Sequence, residues 1–402
     1  MAATAPAAVL DGIRVLDFSR VFAGPSATQT LGDFGADIIK VEEPHGGDSA
    51  RTFGVTQEVL ERFGVSPSYL ALNRNKRSIV LDLKSPAGQE TAQRLAEQVD
   101  VVIHNFRPGA MQRLNLGYEA LTARNPRIIY CEFSAFGQTG PLAHIGANDV
   151  ALQAHSGLMS ITGEPDRPAS RCGTSVVDLH GGLAAVAGIL AALLHRERTG
   201  EGQRVETSLL MSSAHLMSYF YTDYWMTGRV HQRMGTANHL TVPNQVFPSA
   251  DGHVVIIAPT DDMWQRCAAA LDPVLDRPEF KTAFQRRQQR GDVIALMTEA
   301  TSRLTTRELI DRLGHARVNV ASLNDVGQAA DDAQLAASDG IFEFESASGP
   351  IKSVAPPFSL DKSPASVRCP PPELGADSQA VLGDFGFGAG EWEALKQRGA
   401  FG

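Results

Sequence analysis

Apolar and polar positions alternate along the first third of the chain in blocks that read as strand, helix, strand. Ile13–Phe18 is a short β-type run, broken by Gly24-Pro25. Ser26–Phe34 reads as a helix with Ser26 as its capping residue; Gly35 ends it, and Ile38–Glu42 is the next strand. Such a unit implies parallel pairing through a right-handed crossover. The pattern returns with a strand at Ser78–Leu83, a helix at Pro86–Gln98 with proline in its first turn, and strands at Val101–His104 and Arg127–Glu132. Strands apolar almost throughout are buried on both faces, so the sequence predicts an α/β layered domain around a parallel sheet. Ligands of such sheets sit beyond the carboxyl ends of the strands. That singles out the loops at Ser19–Pro25, Glu43–Arg51, Asn105–Gly109 and Ser134–Pro141.

Further on, a long apolar helix spans Asp178 to about Arg198 and stops at Thr199-Gly-Glu-Gly202. A second runs from about Leu209 to Thr227. The texture then changes: Val246–Ala258 reads as a hairpin turning at Asp251-Gly252, and Arg-rich helical segments follow from Asp262 to about Arg317. After about Gly340 the chain is Pro-rich and extended, and a short helix closes it at Gly390–Arg398. The 402 residues suit two or three domains at about 150 residues each.

Composition narrows the picture. Apolar residues are 43% and charged residues 20%, enough for a sizeable core. The net charge of −9 argues against sequence-independent nucleic-acid binding, which needs a basic surface, but leaves room for a local basic pocket. Cys131, Cys172, Cys267 and Cys369 lie far apart with no CxxC pair, which predicts a reducing, cytoplasmic setting. The N-terminal MAATAPAAVLDG does not read as a signal peptide. The longest apolar run, Leu183–Leu194, has 12 residues against the roughly 20 of a spanning helix, so a buried core helix rather than a membrane segment is expected.

Three stretches carry candidate chemistry. Asp178 opens the longest apolar helix and is followed by Gly181 and Gly182. On spacing alone it reads first as an ordinary N-cap and second as a carboxylate held as an anion by the helix N-terminus, with the glycines admitting a bulky ligand. A carboxylate so placed can serve as a covalent nucleophile. Asn73-Arg-Asn-Lys-Arg77 is either a solvated basic turn or a phosphate contact. Asn105-Phe-Arg-Pro-Gly109 follows a buried strand; it is an ordinary turn or a seat for an adenine ring or a pyrophosphate. His144, His155 and His180 lack metal-ligand spacing, and no metal is expected. The GxSxG, GxxxxGK[ST] and GxGxxG patterns are missing, the last counting against a nicotinamide dehydrogenase.

Taken together, these stretches resemble the class III CoA-transferase family, the CaiB–BaiF type. The matching pieces run in the family's order: Leu16–Pro25, Leu31–Glu42, Gly46-Gly-Asp48 with Arg51, Asn73–Ser78, Asn105–Gly109, Phe136–Pro141, Ser156–Gly163, Thr199–Gln203 and Pro370–Gly375. The resemblance implies a Rossmann-like large domain with a parallel sheet, built from both chain ends (1–225 and 336–402), and a small α/β domain from 226–335. It also implies an interlocked, ring-shaped homodimer. It makes Asp178 the covalent nucleophile and CoA, carried as acyl-CoA, the substrate, exchanged with a carboxylic-acid acceptor without metal or nicotinamide. Family position assigns CoA contacts to Arg20, Val21, Ala23, Asn73, Lys76, Arg77, Asn105, Phe106, Arg107 and Arg113. The turn Phe136-Gly137-Gln138 is a candidate source of oxyanion-holding N–H groups.

Two departures refine the expectation. The oxalate-using branch has Gln where Phe22 stands and a glycine run that Gly235-Thr-Ala-Asn-His239 lacks, so oxalate is disfavoured. The α-methylacyl-CoA racemase branch pairs its Asp with a His where Asn148 stands, and Asn carries no proton. Racemase is thus the alternative argued down. The wording around Gly235-Thr-Ala and Val242–Phe247 is similar to members that use succinate, glutarate, malate, itaconate or mesaconate.

Overall fold

Six strands pair in parallel in the order β3-β2-β1-β4-β5-β6: β1 (Arg14–Asp17), β2 (Asp37–Glu42), β3 (Lys76–Val80), β4 (Val101–His104), β5 (Ile129–Ser134) and β6 (Arg204–Ser208). The computed structural model describes residues 8–346 and 349–402; MAATAPA, part of the N-terminal stretch read above as no leader, lies outside the described residues. The chain builds outward from β1 in both directions, so the order reverses between β1 and β4, where Val15 pairs with Ile38 on one side and Val101 on the other. An open parallel sheet parts its loops at that switch point.

Alternation along the strands feeds two cores. Leu16, Ile39, Val102 and Tyr130 face α2 (Pro86–Ala96) and the C-terminal helices through Val381, Leu382 and Leu395. Val15, Ile38, Ile103, Ile129 and Phe133 face α1 (Ala23–Asp33) and the 24-residue α4 (Val176–Thr199), packing on Ala27, Leu31, Ala185 and Ile189. The returning C-terminus is sewn to β3: Asp377 accepts from the Ser78 N–H, and the Ala400 carbonyl from the Asp82 N–H.

The chain forms two units. One takes the chain up to Leu158, Cys172–Met226 and Gln334–Gly402; the other takes Met159–Arg171 and Thr227–Ala333. The second therefore includes a loop that a continuous 1–225 boundary leaves in the first. It has a three-stranded antiparallel sheet, β7 (Asn244–Pro248), β8 (His253–Ile257) and β9 (Asn319–Ser322), with helices packed around Phe247, Trp264, Val293 and Leu309.

Several boundaries differ from expectation. Gly24-Pro25 sits inside the first turn of α1, where a missing N–H costs no hydrogen bond. The stretch 209–227 is two helices, α5 (Leu209–Leu216) and α6 (Ser218–Thr227), parted at Met217. Asp178 is not an N-cap: α4 starts at Val176 after Ser175. The Pro-rich tail holds an antiparallel ribbon, Ile341–Ser346 with Gly349–Val354.

Candidate active site

The loops after β1, β4 and β5 meet at the switch point around a cleft of about 610 Å3. Arg20–Ala23, Asn105–Pro108 and Phe133–Ala135 line it, with Ile145–Asn148 and Asp178 of α4. A volume of that size suits a small-molecule site.

The loop after β1 is held from beneath. Asn105 clamps the Arg20 peptide from both sides, accepting from its N–H at 2.9 Å and donating to its carbonyl at 2.7 Å. Val21 has φ +71°, a left-handed conformation that strains a β-branched residue. Its N–H donates to both oxygens of the buried Asp48, at 3.1 and 3.2 Å. Asp48 is paired with Lys40, whose ammonium also donates to the Ser19 carbonyl at 2.9 Å. This scaffold aims α1 at the cleft with its N-terminus free of any side-chain cap. The Arg20 guanidinium lies 5.2 Å from the Phe106 ring centroid, and a smaller cavity of about 300 Å3 adjoins, sharing Arg20 and Phe106.

Asp178 is half-buried, and its neighbourhood reverses the expected electrostatics. Burial first, and then the negative charge of Asp149, push its carboxyl from the usual range up to about 7. The expectation of an anion stabilised by the helix N-terminus is thus corrected: Asp149 of α3 (Asp149–His155) already takes the N–H groups of Val177 and Asp178, at 2.7 and 3.1 Å. The glycines are corrected too. A Cβ on Gly181 would stand 2.6 Å from Phe133 Cζ, and one on Gly182 would stand 2.8 Å from the Ala23 carbonyl. They admit neighbouring protein, not ligand.

The structure brings Arg20, Val21, Ala23, Asn105, Phe106 and Arg107 to the cleft with Asp178. It does not bring the others. Asn73 and Lys76 are buried, and the Lys76 ammonium donates to Asn73 and the Pro25 carbonyl, each at 3.0 Å, beside Asp17 at 3.4 Å. Arg77 pairs with Asp37 and Asp384. Arg113 is exposed, away from the cleft lining. In the turn 136–138, the Gly137 N–H is spent on Ser134 Oγ at 3.0 Å and the Gln138 N–H on Glu206 at 2.8 Å, while the Phe136 ring packs on His155. None of the three lines the cleft. Sequence reasoning missed Asp48, Asp149 and Gln153 as site-building residues. Asp48 stands in a matching motif, but its role, like those of Asp149 and Gln153, emerges only when the fold sets it beside its partner.

The chain matches the family described as CoA-transferase family III over residues 10–378. It is 36% identical over 381 residues to a succinate–glutarate CoA-transferase of Agrobacterium fabrum, spanning 94% of this chain and 95% of that protein. It is 33% identical over 376 residues to a succinyl-CoA:glutarate CoA-transferase of Homo sapiens, spanning 93% of this chain and 85% of that protein. A CAIB/BAIF family protein from Brucella suis has a similar structure, with TM-score 0.84 at 31% identity over 94% of this chain and 99% of that one. The α/β fold with its six-stranded parallel sheet, the family match and this similarity agree: the chain belongs to CoA-transferase family III, the CaiB/BaiF family, and is a CoA-transferase.

Proposed function

We propose that the protein moves CoA from an acyl-CoA to a dicarboxylic acid of the succinate or glutarate kind, with Asp178 as covalent nucleophile. The observation that carries this reading is a half-buried carboxylate, raised to about 7, in a cleft that also holds two guanidinium groups, Arg20 and Arg107. The acceptor class is supported by the dicarboxylate-using relatives.

The Asp178 carboxylate attacks the thioester carbonyl, forming a mixed anhydride and releasing the CoA thiolate. The thiolate attacks the aspartyl carbonyl; the donor acid leaves and an aspartyl-CoA thioester remains. The acceptor carboxylate attacks that thioester, giving a second anhydride and the thiolate again. Attack of the thiolate on the acceptor's acyl carbon yields the new acyl-CoA and frees Asp178. Activation is exchanged rather than created, and one hard transfer becomes several easier ones. Each step develops negative charge on an oxygen, for which the uncapped N-terminus of α1 at Ala23 is the suitable partner in place of the turn 136–138. Arg20 and Arg107 suit the phosphates of CoA, and the cavity beside Phe106 suits a purine ring.

The reading includes an interlocked homodimer, supported by the exposed leucines of α4, Leu179, Leu183, Leu190 and Leu194, and a cytoplasmic setting, supported by four free thiols. Incubation with succinyl-CoA, then hydroxylamine or borohydride, and intact-protein mass spectrometry test the mechanism. An adduct mapped to Asp178 and lost in Asp178→Ala is expected. No adduct with any acyl-CoA, alongside deuterium exchange at an acyl α-carbon, overturns it in favour of the racemase.

A further inference from the structure

The N-terminus of α4 is capped by a side chain from another helix. Asp149 Oδ2 accepts from the Val177 N–H at 2.7 Å and from the Asp178 N–H at 3.1 Å. Its Oδ1 accepts from Gln153 Nε2 at 2.5 Å. Gln153 cannot turn its amide over, because its Oε1 accepts from the Cys172 N–H at 2.8 Å. Asp149 is 4% exposed and Gln153 0%. Asp149 thus accepts three hydrogen bonds and donates none, the pattern of a carboxylate. Two acidic side chains therefore share one helix terminus, and the buried one has taken the N–H groups.

We propose that Asp149, locked by Gln153, is a positioning residue that holds the backbone at Asp178 and adds a negative charge beside its already half-buried carboxylate. The inference rests on the reading of Asp178 as nucleophile for its consequence, but not for its test. A helix N-terminus amounts to about half a positive charge. A full negative charge on those N–H groups outweighs it, so Asp178 stands in a net negative field rather than a positive one. A carboxylate made more basic is a stronger nucleophile toward the thioester carbonyl. The same bonds fix the backbone at Asp178 itself, so one group supplies both the geometry and the added charge.

The other titratable groups on elements packed against α4 are engaged elsewhere. On α1, Asp33 holds Arg74. On α3, His155 stacks edge-on to Phe136. On β5, Glu132 pairs with Arg204 of β6 and with His104, and burial raises the Cys131 thiol to about 12. On β6, Glu206 holds the Gln138 N–H. On α4 and α5, His180 and His215 bond one another, His180 also reaching Ser212. The cations of the cleft are Arg20 and Arg107. Of all these groups, Asp149 is the one bonded to the Asp178 backbone.

The test is a carboxyl titration of the unliganded protein by carbon-13 NMR with labelled aspartate, the Asp178 resonance being identified by its loss in Asp178→Asn. In the wild type the carboxyl is expected to titrate near 7. In Asp149→Ser, a short neutral cap, it moves down by at least about one unit toward the ordinary value near 3.9. Asp149→Asn combined with Gln153→Leu serves if the first variant does not fold, because Asn alone would set its amide nitrogen against Gln153 Nε2. The acid limb of adduct formation from succinyl-CoA moves down by the same amount, which a merely structural cap would not cause. A wild-type value in the ordinary carboxylate range, or equal values in wild type and folded variants, overturns the proposal. A wild type that titrates as expected but forms no adduct at any pH overturns the nucleophile reading instead and leaves the electrostatic role of Asp149 standing.

Discussion

Gly182 on α4 lies directly against Ser26 on α1: a Cβ built on Gly182 would stand 2.1 Å from Ser26 Oγ and 2.8 Å from the Ala23 carbonyl oxygen. The Ser26 hydroxyl cannot easily retreat, because it donates to that same carbonyl at 2.8 Å. The contact sets how closely the N-terminus of α1 approaches the turn of α4 that carries Asp178.

Gly182→Ala must therefore push the helices apart rather than fill space. Overpacking of this kind costs about 1–3 kcal/mol, and the displacement falls on the cleft. The expected outcome is a lowered Tm and a larger proportional loss of kcat/KM. Gly314→Ala is the control: the residue is helical in the second unit with nothing within 4 Å of an added Cβ. It should stabilise by about 0.5–1 kcal/mol. Equal Tm for Gly182→Ala and wild type would sink the packing argument.

A raised carboxyl costs the fold stability, and the sign is fixed by linkage. Asp178 goes from an ordinary value of 3.8 to about 7 on folding. Below the lower value it is protonated in both states and contributes nothing. As pH rises between the two, the unfolded chain ionises first, so stability falls until the loss is complete above about pH 7, at on the order of 4 kcal/mol. Asp178→Asn keeps the shape and removes the charge. Thermal melts should show the variant more stable than wild type at pH 8, by several degrees, and indistinguishable from it at pH 3.5. Identical melting at pH 8 would mean that Asp178 carries no such burden.

The loop Asn73–Arg77 shows why part of the site was not legible. Its cations matched a phosphate contact in pattern, but the acids that neutralise them come from distant strands and helices: Asp17 for Lys76, Asp33 for Arg74 and Asp37 for Arg77. Removing one partner of a buried pair costs about 3–5 kcal/mol. Lys76→Met should therefore lower Tm, since the buried Asp17 loses its paired cation and keeps only the Lys40 charge nearby and the hydrogen bonds from Ser19 and Thr28. A rise in KM for acyl-CoA at unchanged Tm would restore Lys76 to the ligand.

What the sequence did disclose follows from periodicity. Runs such as Val101–His104, apolar on both faces, have no stable place outside a parallel sheet, so the central strands and the loops beyond them were readable. The edge strand β6, Arg204–Ser208, is polar and half-exposed, and it carries no such signal. The cap on α4 is hidden for a different reason. Asp149 and Val177 are 28 residues apart, and an acid in the first turn of its own helix looks like an ordinary terminal charge.

Strain at Val21 gives the last prediction. With φ +71°, a Cβ at this position is unfavourable whatever the side chain beyond it, and the conformation is held by Asp48 on the Val21 N–H and Asn105 on the preceding peptide. Comparing two truncations isolates the backbone contribution, since Val21→Ala and Val21→Gly lose nearly the same contacts. At most positions Ala is the more stabilising residue because it restricts the unfolded chain. Here the order should invert, with Val21→Gly more stable than Val21→Ala by about 1 kcal/mol. Activity should run the other way. Gly frees the loop that aims α1 at the cleft, so kcat/KM should fall roughly tenfold further in Val21→Gly than in Val21→Ala, the loss expected when a positioned group is let loose. Urea melts and initial-rate kinetics on the two variants decide it: Ala more stable than Gly at this position would show that the scaffold does not hold Val21 in the left-handed region.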